Sequence, residues 1–156
     1  ELIKNGTTTV MTFCASYKKS VDAFFKASQK RNLRMVAGKV MMDRNAPEKL
    51  CDSPEDSYLD SKALIEKWHN KGRLRYAVTP RFAITSSKLQ LEQASRLLSE
   101  YPDANGKKGV LLQTHLNEND EEINYHIQFI KKERDLLDDD FRLLEIKNWL
   151  QNLNGN

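Results

Sequence analysis

Four segments with strand character alternate with three helical patterns along this chain, and that alternation restricts the fold more than any other feature. Residues 7–14 (Thr-Thr-Thr-Val-Met-Thr-Phe-Cys) are β-branched and aromatic and follow Gly6, as a strand requires. Residues 33–42 form a partly continuous apolar run, suited to a strand covered on both faces. Residues 74–79 are a third strand, stopped by Pro80, and residues 110–115 a fourth. Between them, Ser20 is a candidate N-cap for a helix to about Asn32 with Val21, Phe24, Phe25, Ala27 and Ser28 on one face. Ser57 or Asp60 is the candidate start of a second helix, carrying Leu59, Ala63, Leu64, Ile65 and Trp68 and ending near Gly72, after a polar connection containing Pro54. Ser86 or Ser87 starts a third through Leu89, Leu91, Ala94, Leu97 and Leu98. Connections long enough for crossover helices imply parallel βαβ units.

No fifth strand follows. Residues 118–135 are charged and helical, and Phe141, Leu143, Leu144, Ile146, Trp149 and Leu150 continue a helical pattern. The 156 residues fall short of the roughly 250 of a closed (β/α)₈ barrel. The opening at Glu1 rather than Met leads us to expect a missing upstream piece. Open sheet edges would favour association.

Composition narrows the partners. A net charge of +3, with basic and acidic residues interspersed, gives no basic stripe, so no nucleic-acid partner is expected. No stretch is long and apolar enough to span a bilayer, so no membrane partner is expected either. Cys14 and Cys51 show no metal or redox spacing and suit a reducing, cytoplasmic setting.

The residues with chemical potential cluster where strands end. In parallel α/β folds, ligands gather at the C-terminal ends of the strands. His115, in Gln113-Thr114-His115-Leu116-Asn117-Glu118-Asn119, is a candidate zinc ligand, with the carboxylate of Glu118 three residues on. A buried histidine satisfied by backbone and a helix N-terminal carboxylate are the plain alternatives. Arg81 and Phe82, just past the third strand, combine a guanidinium fork with an aromatic face, a cradle for a planar heterocycle; a surface Arg and a core Phe would look the same. His69 and His126 read as surface residues; Asp43, after the second strand, could face the rim, but Asp43-Arg44-Asn45 is also ordinary turn chemistry. No phosphate-binding glycine loop, nucleophile elbow or H-E-x-x-H is present.

Taken together, Gly6-Thr7-Thr8-Thr9, Gly38-Lys39-Val40-Met41-Met42-Asp43-Arg44-Asn45, Tyr76-Ala77-Val78-Thr79-Pro80-Arg81-Phe82-Ala83 and Gln113 to Asn119 resemble, in order and spacing, the guanine deaminase family of the metal-dependent amidohydrolases. The resemblance covers roughly residues 2–123. It implies a partial (β/α)₈ TIM barrel of about four βα units, lacking the first strand and the last three. Residues 1–124 would be the barrel fragment, and 125–156 a helical stretch of uncertain relation to the family. It implies that His115 binds zinc, Glu118 shuttles the proton, and Arg81 and Phe82 hold guanine, in hydrolytic deamination to xanthine and ammonia by a homodimeric enzyme of purine catabolism. The family's first-strand H-x-H, sixth-strand histidine and eighth-strand aspartate have no counterpart here, so this chain alone is expected to be inactive. A related amidohydrolase acting on another heterocycle, or a non-catalytic truncated barrel serving as an interaction module, are the alternatives.

Overall fold

The computed structural model describes residues 1–104, 106–125, 127 and 128; His126 and the expected helical pattern over 141–150 lie outside them. The chain divides into two units, Glu1–Leu116 and Asn117–Asn156. In the first unit, β1 (Thr9–Phe13), β2 (Arg34–Gly38), β3 (Val40–Met41), β4 (Arg75–Pro80) and β5 (Leu111–Leu112) form a sheet in which every pairing of these strands is parallel. β1 pairs with β2 from Thr9 opposite Arg34 to Phe13 opposite Gly38. β4 then pairs with β2, with β3 and with β5.

The expected single strand over 33–42 is therefore two strands, β2 and β3, running on beside β4 in one unchanged register and separated by Lys39. The break has a local cause. The Lys39 N–H donates to the hydroxyl of Tyr76 at 3.0 Å instead of to a strand carbonyl. Its buried ammonium pairs with Asp52 and lies 3.5 Å from Ser57 Oγ. Gly38 has no room for a side chain, since a Cβ there would sit 1.7 Å from the Ala77 carbonyl oxygen. Backbone approach of this kind is what glycine allows.

Three helices, α1 (Lys18–Lys30), α2 (Pro54–Trp68) and α3 (Lys88–Glu100), carry the chain between strands. The first two start earlier than the sequence suggested. Tyr17, not Ser20, is the N-cap of α1; the Ser20 hydroxyl donates back to the Tyr17 carbonyl at 2.8 Å within the first turn. For α2 the cap is Ser53, whose hydroxyl accepts the Asp56 N–H at 3.0 Å, and Pro54 opens the helix. Proline is favoured there because that N–H has no helical partner to lose. Ser57, a candidate start, is instead buried inside α2. α3 does begin after Ser87, which accepts the Gln90 N–H at 3.1 Å. Its buried face is Gln90, Ala94 and Leu97, at helical spacing, while Leu89 is 54% exposed.

The core lies between these helices and the sheet. Val21 and Phe25 of α1, Tyr58, Leu64, Ile65 and Trp68 of α2, and Ala94 and Leu97 of α3 meet Met35, Ala37, Tyr76 and Val78 of the strands. Phe25 packs on Trp68 and Tyr76 with ring centroids 5.9 and 6.4 Å apart. Burying one side chain of this size contributes about 1.5–3 kcal/mol, so this layer dominates the stability of the unit.

His69, expected at the surface, is half-enclosed and joins three segments. It ends α2, its Nδ1 accepts the Tyr76 N–H at 3.0 Å, and its Nε2 lies 2.7 Å from the Lys108 carbonyl. Those partners require the neutral ring with the proton on Nε2. Burial holds its pKa below the ordinary 6.5, partly offset by the Lys108 carbonyl and reinforced by the charge of Arg75. The unfolded chain therefore takes up its proton first as pH falls, and stability is lost as pH drops from about 6.5 toward the folded-state value. The melting temperature of the full-length protein should fall between about pH 7 and about pH 5.5, and His69→Gln should flatten part of that fall. Superimposable pH profiles of variant and parent would contradict this.

No described helix is long and apolar enough to cross a membrane.

Candidate active site

Strand ends supply the side chains of interest in the first unit. Arg81 and Phe82 follow directly from β4, and their main chain is held on both sides. The Arg81 N–H donates to the Met41 carbonyl at the end of β3 at 3.2 Å, and the Arg81 carbonyl accepts the His115 N–H at 2.7 Å. The Thr114 hydroxyl donates to the same carbonyl at 3.2 Å. The expected strand over 110–115 is thus short as a ladder, only Leu111–Leu112. It continues alongside β4 through the Gln113 N–H to the Val78 carbonyl at 2.9 Å and then the His115 bond. Arg81 and His115 are tied together by backbone, and that places both at one rim.

The side chains form a contiguous row. The Arg81 guanidinium stands over the Phe82 ring, 5.5 Å from its centroid, and Nη1 lies 3.7 Å from Met42 Sδ. Phe82 meets the His115 imidazole edge-on, with centroids 6.1 Å apart and planes at 74°. A second ring contact comes from Phe13, at the end of β1, stacked on His115 at 4.3 Å and 21°. Arg81 is exposed, and Phe82 and His115 are half-buried. Beside Phe13, burial pushes the Cys14 thiol up to about 11, so it stays protonated near neutrality and packs rather than reacts.

The loop carrying Arg81 and Phe82 is braced by Asp43, Arg44 and Asn45 after β3. The Asp43 carboxylate accepts the Ser87 N–H at 2.7 Å and pairs with the Ser87 hydroxyl, fixing the start of α3. Arg44 Nη2 donates to the Ala83 carbonyl at 2.8 Å and Asn45 Nδ2 to the Ile84 carbonyl at 2.7 Å. Turn chemistry was legible in this tripeptide, but its task of holding the neighbouring rim loop was not.

Glu118 belongs to the second unit. There the Asn119 side chain accepts the Glu122 N–H at 2.9 Å, and the Glu122 carboxylate accepts the N–H groups of Asn117 and Glu118 at 3.1 and 2.8 Å. Asn119 and Glu122 are a variant of the capping box opening the helical residues 120–125. The Glu118 side chain is exposed. Glu122 is buried and is a structural acceptor.

For a metal, His115 offers one nitrogen of the type zinc takes, at the rim where such ligands gather. A catalytic zinc takes about three protein ligands. No group of three His, Cys, Asp or Glu side chains comes together among the described residues. His115 fits as one ligand, and the described residues do not form a whole site.

The Amidohydrolase family model matches residues 1–150. The chain belongs to the amidohydrolase family. Guanine deaminase of Escherichia coli (strain K12) is 54% identical over 123 residues, which are 79% of this chain and 27% of that protein. The structure of E. coli guanine deaminase matches with a TM-score of 0.76 at 51% identity, over 83% of this chain and 29% of that one. Guanine deaminase from C. acetobutylicum, solved with guanine bound in its active site, matches with a TM-score of 0.75 at 32% identity over 84% of this chain and 30% of that one. This amidohydrolase chain thus spans less than a third of the length of these relatives. Its parallel βα units are a partial barrel of the kind those structures contain, in line with the fold expected from the sequence.

Proposed function

We propose that the full-length protein containing this chain is a guanine deaminase, hydrolysing guanine to xanthine and ammonia. The observation that carries the reading is the row Arg81–Phe82–His115 at one strand-end rim, in a chain 54% identical to a guanine deaminase over 123 residues. Each side chain has a role suited to its chemistry. Arg81 donates to the guanine carbonyl, a bidentate-capable pairing that guanidinium makes well. Phe82, already under the Arg81 guanidinium, packs against the purine ring. His115 would be one ligand of a zinc ion, and that ion, when bound, would supply a water acidified toward neutrality. Glu118 would move a proton between water and the ring, with ammonia leaving as the exocyclic amine is replaced by oxygen. Among the described residues, no group of three His, Cys, Asp or Glu side chains completes a site with His115. A cytoplasmic place in purine catabolism and a homodimer accompany the reading.

Incubating the full-length protein with guanine should yield xanthine and ammonia. Arg81→Ala should lower kcat/KM for guanine by roughly tenfold to a hundredfold, as loss of one such base contact costs about 1–3 kcal/mol. Turnover of another aminopurine or a triazine with no xanthine from guanine would overturn the substrate assignment. So would an Arg81→Ala variant that handles guanine normally.

A further inference from the structure

We propose that Phe13 is a positioning residue: its ring sets the plane of the His115 imidazole, and so the direction in which the imidazole nitrogens point. This rests on the reading of His115 as a working member of the site. Phe13 ends β1 and His115 follows β5, yet β1 pairs only with β2 and β5 only with β4 among the strands. The two side chains nevertheless stack face to face, at 4.3 Å and 21°. The main chain of His115 is anchored by its N–H on the Arg81 carbonyl, but that bond leaves the ring torsion open. The terminal torsion of histidine is broad and roughly two-fold, and a face-on stack restricts it by blocking rotation of the ring out of the stacked plane. Phe13 covers a face and Phe82 meets the ring edge-on at 74°. Phe82 also carries the Arg81 guanidinium over its ring, whereas Phe13 meets the imidazole face to face. Neighbours that orient a working imidazole typically change activity by about 10–100-fold when removed.

The test uses the full-length protein with Phe13→Leu, Phe13→Met and Phe13→Tyr, assayed on guanine and examined by NMR of selectively labelled histidine rings. A stacked phenyl shields the protons of the ring beneath it. In Phe13→Leu and Phe13→Met the His115 ring protons should move downfield, and kcat should fall by about 10–100-fold. KM for guanine should stay within about twofold, because Arg81 and Phe82 are untouched. Phe13→Tyr should keep the shielding and most of kcat. Unchanged His115 resonances and kcat in both aliphatic variants would overturn the proposal, as would a rise in KM at constant kcat, which would make Phe13 a substrate contact. Should Phe13→Leu fail to fold, Phe13→Met carries the same readings with less lost volume. If the parent protein makes no xanthine, the guanine reading fails, while bound metal after dialysis still decides whether Phe13 orients the imidazole: loss of metal in Phe13→Leu but not in Phe13→Tyr supports it, and equal metal in both overturns it.

Discussion

Replacing His115 by alanine in the full-length protein should lower kcat/KM for guanine by at least about a thousandfold and deplete bound zinc. Loss of a mere outer partner of a metal-ligating histidine costs about 10–100-fold, and removal of the ligand itself should exceed that. The size of the effect separates chemistry from stability. The ring contacts of His115 with Phe13 and Phe82 are of a kind worth about 0.5–1.5 kcal/mol each, whereas a thousandfold loss of activity corresponds to about 4 kcal/mol of transition-state stabilisation. A variant that remains folded but has lost activity and metal is the expected result, measured by steady-state kinetics together with metal analysis after dialysis. Undiminished turnover with undiminished metal would return His115 to the status of a packed aromatic.

Glu118→Gln should lower kcat by about 10²–10⁴-fold, the usual worth of a positioned proton-transfer group. The amide keeps the shape of the side chain and removes its basicity, so bound metal and KM for guanine should change little. Neighbouring acids provide the control. Glu121→Gln should leave kcat within about twofold, because exposed substitutions away from caps and sites have small effects. Glu122→Gln acts elsewhere: Glu122 accepts the N–H groups of Asn117 and Glu118, so its loss should be felt mainly in stability, at about 1 kcal/mol. If Glu118→Gln and Glu121→Gln behaved alike, the proton-transfer role would be withdrawn from Glu118.

Local chemistry was legible wherever it acted over short spacings. The Ser87 cap, the parallel βα alternation and the strand-end placement of Arg81, Phe82 and His115 all follow from neighbouring residues, and the structure has them. Other readings failed for identifiable reasons. Ser53-Pro54 carries a helix-start signature that is hard to tell from a loop by spacing alone, because proline suits both a turn and the first helical position. The apolar run over 33–42 gives no warning of an interruption, because the group that captures the Lys39 N–H is the hydroxyl of Tyr76, on another strand. His69 looks like a surface histidine until β4 and Lys108 are brought to its two nitrogens. Leu89 fits an apolar helical face by spacing, yet packing of α3 leaves it exposed and buries Gln90 instead.

By itself, then, the sequence determined the class of fold and the types of group at the rim, because period, capping and turn chemistry depend on residues a few positions apart. Only the tertiary structure decided which of those groups meet. The Arg81 carbonyl fixes His115, Asp43 and Arg44 brace the next loop, and Phe13 faces His115, through contacts between segments far apart in the chain. Such pairings depend on how parallel strands align and how their sheet curves, and no local spacing encodes either.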